Sequence, residues 1–137
     1  MKASSLPRST ALRLLKAAAS ASREAHAPYS KFRVGAALLT DKGDIVTGCN
    51  VENASYGLTI CAERNAIFHA VATGRRSFKA VAVVASGKQM PFPCGACRQV
   101  LAEFCGPETI VLIAPVTKLG AFDQSTLGDL LPKTFVF

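Results

Sequence analysis

Cys61–Phe104 reads CAERNAIFHAVATGRRSFKAVAVVASGKQMPFPCGACRQVLAEF, and the middle of this stretch decides the fold. Lys79–Ser86 (KAVAVVAS) is an unbroken apolar run of strand length, the pattern of a strand buried on both faces. Helical periodicity flanks it on both sides. Ala62, Ala66 and Ala70 recur with Ile67 and Val71 over Cys61–Thr73, and Gly74 supplies a C-terminal stop. Val100, Leu101 and Phe104 share one side of Cys94–Cys105, which Gly106-Pro107 ends. The segment between Cys61 and Cys94 is expected to form a right-handed crossover unit. That would bring the two helix beginnings to one end of a parallel strand pair.

Working outward, Val34–Thr40 is a short apolar run followed by Asp41-Lys42-Gly43-Asp44, a hairpin turn signal, with Ile45–Val51 as the returning strand. Asn53–Thr59 is a loop of small and polar residues. Thr109–Ala114 (TIVLIA) reads as another buried strand and Leu119–Phe122 as a short further one. Ser125 or Thr126 caps a brief helix to Leu131. Upstream, Leu and Ala at positions 11, 12, 14, 15, 18 and 19 predict a first helix, capped by Ser9 or Thr10 and running to about Glu24. The expected architecture is α/β: a three-layer α-β-α sandwich with a mixed central sheet of about five strands, in one domain over residues 1–137 with residues 1–8 as a flexible lead.

Composition narrows the function classes. Half of the 137 residues are hydrophobic and 18% are charged, which excludes a disordered chain. No apolar run approaches the ~20 residues of a membrane span. The net charge of +7 is concentrated in residues 1–33, where Lys2, Arg8, Arg13, Lys16, Arg23, Lys31 and Arg33 face one acid, Glu24. No aromatic precedes Tyr29, so this block reads as a solvated helix face, not a nucleic-acid surface. Its Arg- and Ser-rich composition also suits a transit peptide, but the helical spacing of its apolar residues favours a structural helix. Five cysteines, two of them in a Cys-x-x-Cys pair, fit a reducing compartment and a cytoplasmic location.

Two patterns carry chemistry: Cys61-Ala62-Glu63 and Pro93-Cys94-Gly95-Ala96-Cys97, each at a predicted helix start. Unpaired N–H groups there favour thiolates, and Cys94 and Cys97 share a helix face. Three converging thiolates make a three-ligand zinc site with an open fourth position, the arrangement of a catalytic and not a structural zinc. His69 and Cys105 lie too far along their helices to be a fourth ligand; Cys49 is not excluded by spacing, although a small buried hydrophobe is the plainer reading. Glu63 can reach over the open position as a proton shuttle, whereas alone it would read as a first-turn capping residue. Asn50 and Glu52 alternate along the predicted strand and so face one side, which suits vicinal hydroxyls of a sugar.

The segments Ala27–Phe32, Gly48–Ala54, Cys61–Ala66, Pro93–Val100 and Leu130–Phe135 closely resemble the small homotetrameric cytidine deaminases, over nearly the whole chain. The Cys-x-Glu and Pro-Cys-x-x-Cys pair is the known signature of zinc deaminases. The resemblance implies one Zn²⁺ per subunit on Cys61, Cys94 and Cys97, with Glu63 as the catalytic proton shuttle. It implies Asn50 and Glu52 on the ribose 3′-hydroxyl, Phe32 beside the pyrimidine and the Ala62 backbone on the base. Tyr56 and Phe135 would reach into neighbouring subunits' sites, and Arg64 would hydrogen-bond the ligand thiolates. The implied reaction is hydrolytic deamination of cytidine and 2′-deoxycytidine to uridine and 2′-deoxyuridine plus ammonia, a step of pyrimidine salvage, in a cytoplasmic homotetramer with no nucleic-acid or membrane partner. Arg64 also has a physical rationale: three thiolates leave zinc with a formal negative charge, and a cation one helical turn from Cys61 draws electron density off sulfur.

Four competitors fit less of the sequence. A thioredoxin-like redox pair at Cys94-x-x-Cys97 leaves Cys61-Ala62-Glu63 unexplained. A structural zinc module needs a fourth protein ligand. Polynucleotide-editing and blasticidin-type deaminases share the metal motif but are expected to differ around Cys61 or Asn50–Ala54.

Overall fold

The structure, a computed structural model, describes residues 6–137. Five strands form one mixed sheet in the order β2-β1-β3-β4-β5: β1 (Val34–Thr40), β2 (Ile45–Cys49), β3 (Phe78–Ala85), β4 (Ile110–Pro115) and β5 (Asp123–Thr126). Only β3 and β4 pair in parallel; β1 runs antiparallel to both β2 and β3, and β5 antiparallel to β4. Alternation in the three inner strands builds two cores. Ala37, Leu39, Ala80, Ala82, Val84 and Leu112 pack against Ala11, Leu14, Leu15 and Ala18 of α1 (Arg8–Ser22). Ala36, Leu38, Val81, Val83, Val111 and Ile113 pack on the other face against α2 (Ala62–Ala72), α3 (Gly95–Phe104) and α4 (Leu127–Leu130). The expected three-layer sandwich is the one found.

The two cysteine-bearing helix starts do meet at one end of the sheet, but by a different route from the one expected. The adjacent parallel pair is β3 and β4, joined through α3. α2 follows β2 and α3 follows β3, and these two strands run the same way because each is antiparallel to the β1 strand between them. Close packing supports this arrangement at Gly48, where an added Cβ would fall 2.4 Å from the Ala66 backbone nitrogen of α2. No residue with a side chain fits there without moving the helix.

Several boundaries differ from expectation. α1 starts at Arg8 behind Pro7, with no side-chain cap from Ser9 or Thr10, and ends at Ser22. Pro7 has the fixed φ of −56° that prepares a helical start, and the Arg8 guanidinium donates to the Gly120 carbonyl at 3.1 Å. Arg8 is thus ordered helix; residues 1–5 of the expected flexible lead lie outside the described residues. Leu119–Ala121 is a 3₁₀ turn, and the last strand comes later, at Asp123–Thr126. That strand is a polar, half-exposed edge, which explains why apolar alternation did not mark it. Thr126 caps α4 in a reciprocal capping box with Asp129. β2 stops at Cys49, two residues early, because the Asn50 side chain takes over the edge of the ladder.

Candidate active site and metal centre

Cys61 and Cys94 are the N-cap residues of α2 and α3, both in extended conformation, and Cys97 sits in the first turn of α3. Their three sulfur atoms lie within 4.8 Å of one another, with Cys61 and Cys94 4.0 Å apart. Zinc–sulfur bonds of about 2.3 Å in tetrahedral geometry need sulfurs about 3.8 Å apart, so the cluster fits a single zinc ion with slight contraction. Cys49, Cys105, His26 and His69 do not join it, and among the described residues no other group of metal-ligating side chains converges. The His69 ring nitrogen Nδ1 instead lies 2.9 Å from the Thr47 carbonyl on the helix exterior.

Arg64 lies one turn along α2, and its Nη2 donates to the Cys61 sulfur at 3.5 Å. The Cys61 thiol is brought down to about 5, first by a hydrogen bond from Cys97, against the cost of burial, and then by the Arg64 cation. Cys97 moves the other way, upward, because it donates to Cys61 and is buried. Of this pair Cys61 is the one whose thiolate is favoured, and a bound cation would compete with protons for the sulfurs. Arg64 Nε is buried and has no hydrogen-bond partner among the described residues, and the side chain's hydrogen bond is the one from Nη2 to the Cys61 sulfur.

Glu63, one residue into α2, is 4% exposed. Burial raises its carboxyl to about 7, with a further push from the Cys61 charge. A group balanced near neutrality is suited to taking and returning a proton. It faces a cavity of about 190 Å³ that also reaches Cys61, Cys94 and Ala62. Ser30, Phe32, Val34, Asn50, Glu52, Pro91 and Phe92 also line it.

Asn50 and Glu52 both line this cavity, as their alternation implied, although they sit beyond the strand, on either side of the isolated bridge at Val51. The Asn50 side chain accepts from Val34 N at 2.9 Å and donates to the Phe32 carbonyl at 2.8 Å, which fixes the backbone on both sides of Arg33. Glu52 accepts from Tyr29 N at 3.0 Å, Ser30 N at 3.2 Å and the Ser30 hydroxyl. The Ser30 hydrogen bond holds its carboxyl below the usual range.

Tyr56 and Phe135 do not line the cavity within this chain. Tyr56 is 76% exposed, edge-on to Tyr29 with ring centres 5.9 Å apart. Phe135 is 70% exposed, and its carbonyl accepts from Gln99. Sequence reasoning missed Ser30, Val34, Thr59, Pro91 and Phe92 as cavity residues. A signal existed for the last two, since Pro91 and Pro93 bracket Phe92 just ahead of a metal-ligand cysteine and restrict that loop.

Residues 8–114 match the profile of the cytidine and deoxycytidylate deaminase zinc-binding region. This chain is a member of the cytidine deaminase family. It is 50% identical over 122 residues to the cytidine deaminase of Halalkalibacterium halodurans, covering 89% of this chain and 91% of that protein. It is 52% identical over 123 residues to a probable cytidine deaminase of Dictyostelium discoideum, covering 88% and 80% respectively. The crystal structure of cytidine deaminase from Burkholderia pseudomallei superposes with a TM-score of 0.84 at 49% identity, covering 90% of this chain and 97% of that one. As in the family at large the cofactor is zinc, and the Cys61, Cys94 and Cys97 thiols are the group positioned to hold it. No helix among the described residues is long and apolar enough to cross a membrane.

Proposed function

We propose that this chain is a zinc-dependent hydrolase that deaminates cytidine and 2′-deoxycytidine to uridine and 2′-deoxyuridine, releasing ammonia, and that it serves pyrimidine salvage in the cytoplasm. The supporting observation is a cluster of three thiols, two of which, Cys61 and Cys94, line one cavity together with a buried carboxyl raised to about 7. The chain acts as one deaminase domain, its family match running over residues 8–114.

Cys61, Cys94 and Cys97 hold the zinc, which when bound lowers the pKa of water and makes it a nucleophile near neutral pH. Glu63 would take a proton from the attacking water and deliver it to N3 of the pyrimidine as the C4–O bond forms. It then carries the second water proton to the amino group, so that the C4–N bond breaks and ammonia departs. Phe32 walls the pyrimidine, the Ala62 backbone fixes its polar edge, and Asn50 with Glu52 orients the sugar through its 3′-hydroxyl, a contact common to both nucleosides. Arg64 hydrogen-bonds the ligand thiolates and offsets their surplus negative charge. Tyr56 and Phe135, exposed in the single chain, act at the sites of neighbouring copies in a homotetramer.

The test is the fall in ultraviolet absorbance as cytidine becomes uridine. Conversion that stops on chelation and returns with added Zn²⁺ supports the reading; a zinc-loaded protein inert toward both nucleosides contradicts it.

A further inference from the structure

We propose that Arg98 is a positioning residue that ties the loop ahead of the Cys94 ligand to the C-terminal segment, so that zinc retention and substrate binding both depend on one guanidinium. The inference rests on the reading above, in which Cys94 and Cys97 hold zinc and Phe135 serves the substrate site.

Arg98 follows Cys97 directly and is half-buried. Its Nε donates to the Pro93 carbonyl at 2.7 Å, and its Nη1 donates to the Leu130 carbonyl at 2.6 Å. Pro93 is the residue immediately before Cys94, and Leu130 is the last residue of α4. A planar guanidinium links two carbonyls at fixed spacing, which a single ammonium on a flexible stem does not reproduce. The loop needs such an anchor because Cys94 has no side-chain cap hydrogen bond, and the Gly95 and Ala96 that follow it are exposed.

The neighbouring side chain separates the two ends of this link. Gln99 Nε2 donates to the Phe135 carbonyl at 3.3 Å and makes no hydrogen bond to the loop before Cys94. Thr134 closes the segment onto itself through the Leu131 carbonyl at 2.7 Å. Arg98 therefore acts on both the ligand loop and the tail, and Gln99 acts on the tail alone.

The experiment uses the zinc-loaded, full-length chain as wild type, Arg98→Met, Arg98→Lys and Gln99→Ala. It measures zinc transfer to a chromogenic chelator, KM and kcat for cytidine, and melting by circular dichroism. Arg98→Met should release zinc on the order of 10-fold faster and raise KM, the scale seen when groups supporting a metal's ligands are removed. Arg98→Lys, reaching one carbonyl at a time, should fall between Met and wild type. Gln99→Ala should raise KM roughly 3-fold with zinc release unchanged, the cost of one modest hydrogen bond. A folded Arg98→Met that keeps zinc as long as wild type overturns the proposal, as does a Gln99→Ala that loses zinc equally fast. If Arg98→Met does not fold, Arg98→Lys decides: faster release than wild type supports the proposal and an unchanged rate overturns it. Wild-type protein that binds no zinc would refute the metal reading itself, before any variant is compared.

Discussion

The two cysteine-bearing helix beginnings share a local plan and differ in what holds them. Cys61 and Cys94 have nearly the same extended backbone, with φ of −70° at both and ψ of 158° and 171°. Behind Cys61, Ala62 and Glu63 are buried and Gly48 lets β2 close onto the helix backbone. Behind Cys94 the first residues are exposed, and the loop is fixed through Arg98. Both helices pack on the core through Ala62 and Cys97, but the turn that begins at Cys61 is buried, whereas the turn that begins at Cys94 is exposed and its loop is tied by a hydrogen bond from Arg98. The carboxyl proposed to move protons sits in the buried turn, where burial can raise its pKa.

The largest expected effect tests that assignment. Glu63→Gln should lower cytidine turnover on the order of 10³-fold while zinc content stays near wild type. Substantial activity in this variant would break the contrast between the two turns. Arg64→Gln should cost about 10- to 100-fold in kcat with zinc still bound, because the thiolates lose their counter-charge. Steady-state kinetics beside metal analysis checks this.

A pH series sharpens the role of burial. In metal-stripped protein Glu63 stays protonated to about pH 7, against 4.5 for its ordinary value. Its contribution to folding is therefore full below the unfolded value and lost as pH rises through about 7. Glu63→Gln removes that loss. Its stability advantage over wild type in urea unfolding should grow between these pH values to about 1–3 kcal/mol and then level. A difference independent of pH would contradict a buried carboxyl.

The smallest effects come from paired glycines. Gly48→Ala places a Cβ against the α2 backbone and should cost roughly 1–3 kcal/mol. Gly95→Ala, with nothing within 4 Å of the added carbon, should change stability by no more than about 0.5 kcal/mol. Equal losses at the two positions would show that both helix starts are packed alike.

The sheet was legible in the sequence because its inner strands are continuous apolar runs: β1 matches its expected span, and β3 and β4 are each displaced by one residue. β5 was not, since Asp123–Thr126 is a polar edge whose strand character comes only from pairing with β4. The three clustered cysteines and Glu63 stand out in the sequence through short, local spacings. Asn50 and Glu52 were placed on the correct side, yet what they bind within the chain, the Phe32 and Ser30 backbone, depends on distant segments meeting. The same holds for Arg98, whose partners lie 5 and 32 residues away and leave no periodic trace.

The central claim is that three sulfurs from two helix beginnings hold one zinc and leave a position open to solvent. Zinc K-edge X-ray absorption on the purified, reduced protein tests it most directly. One zinc per chain with three sulfur neighbours at about 2.3 Å and one lighter neighbour is the predicted result. Four sulfur neighbours, or no bound zinc, would contradict the account.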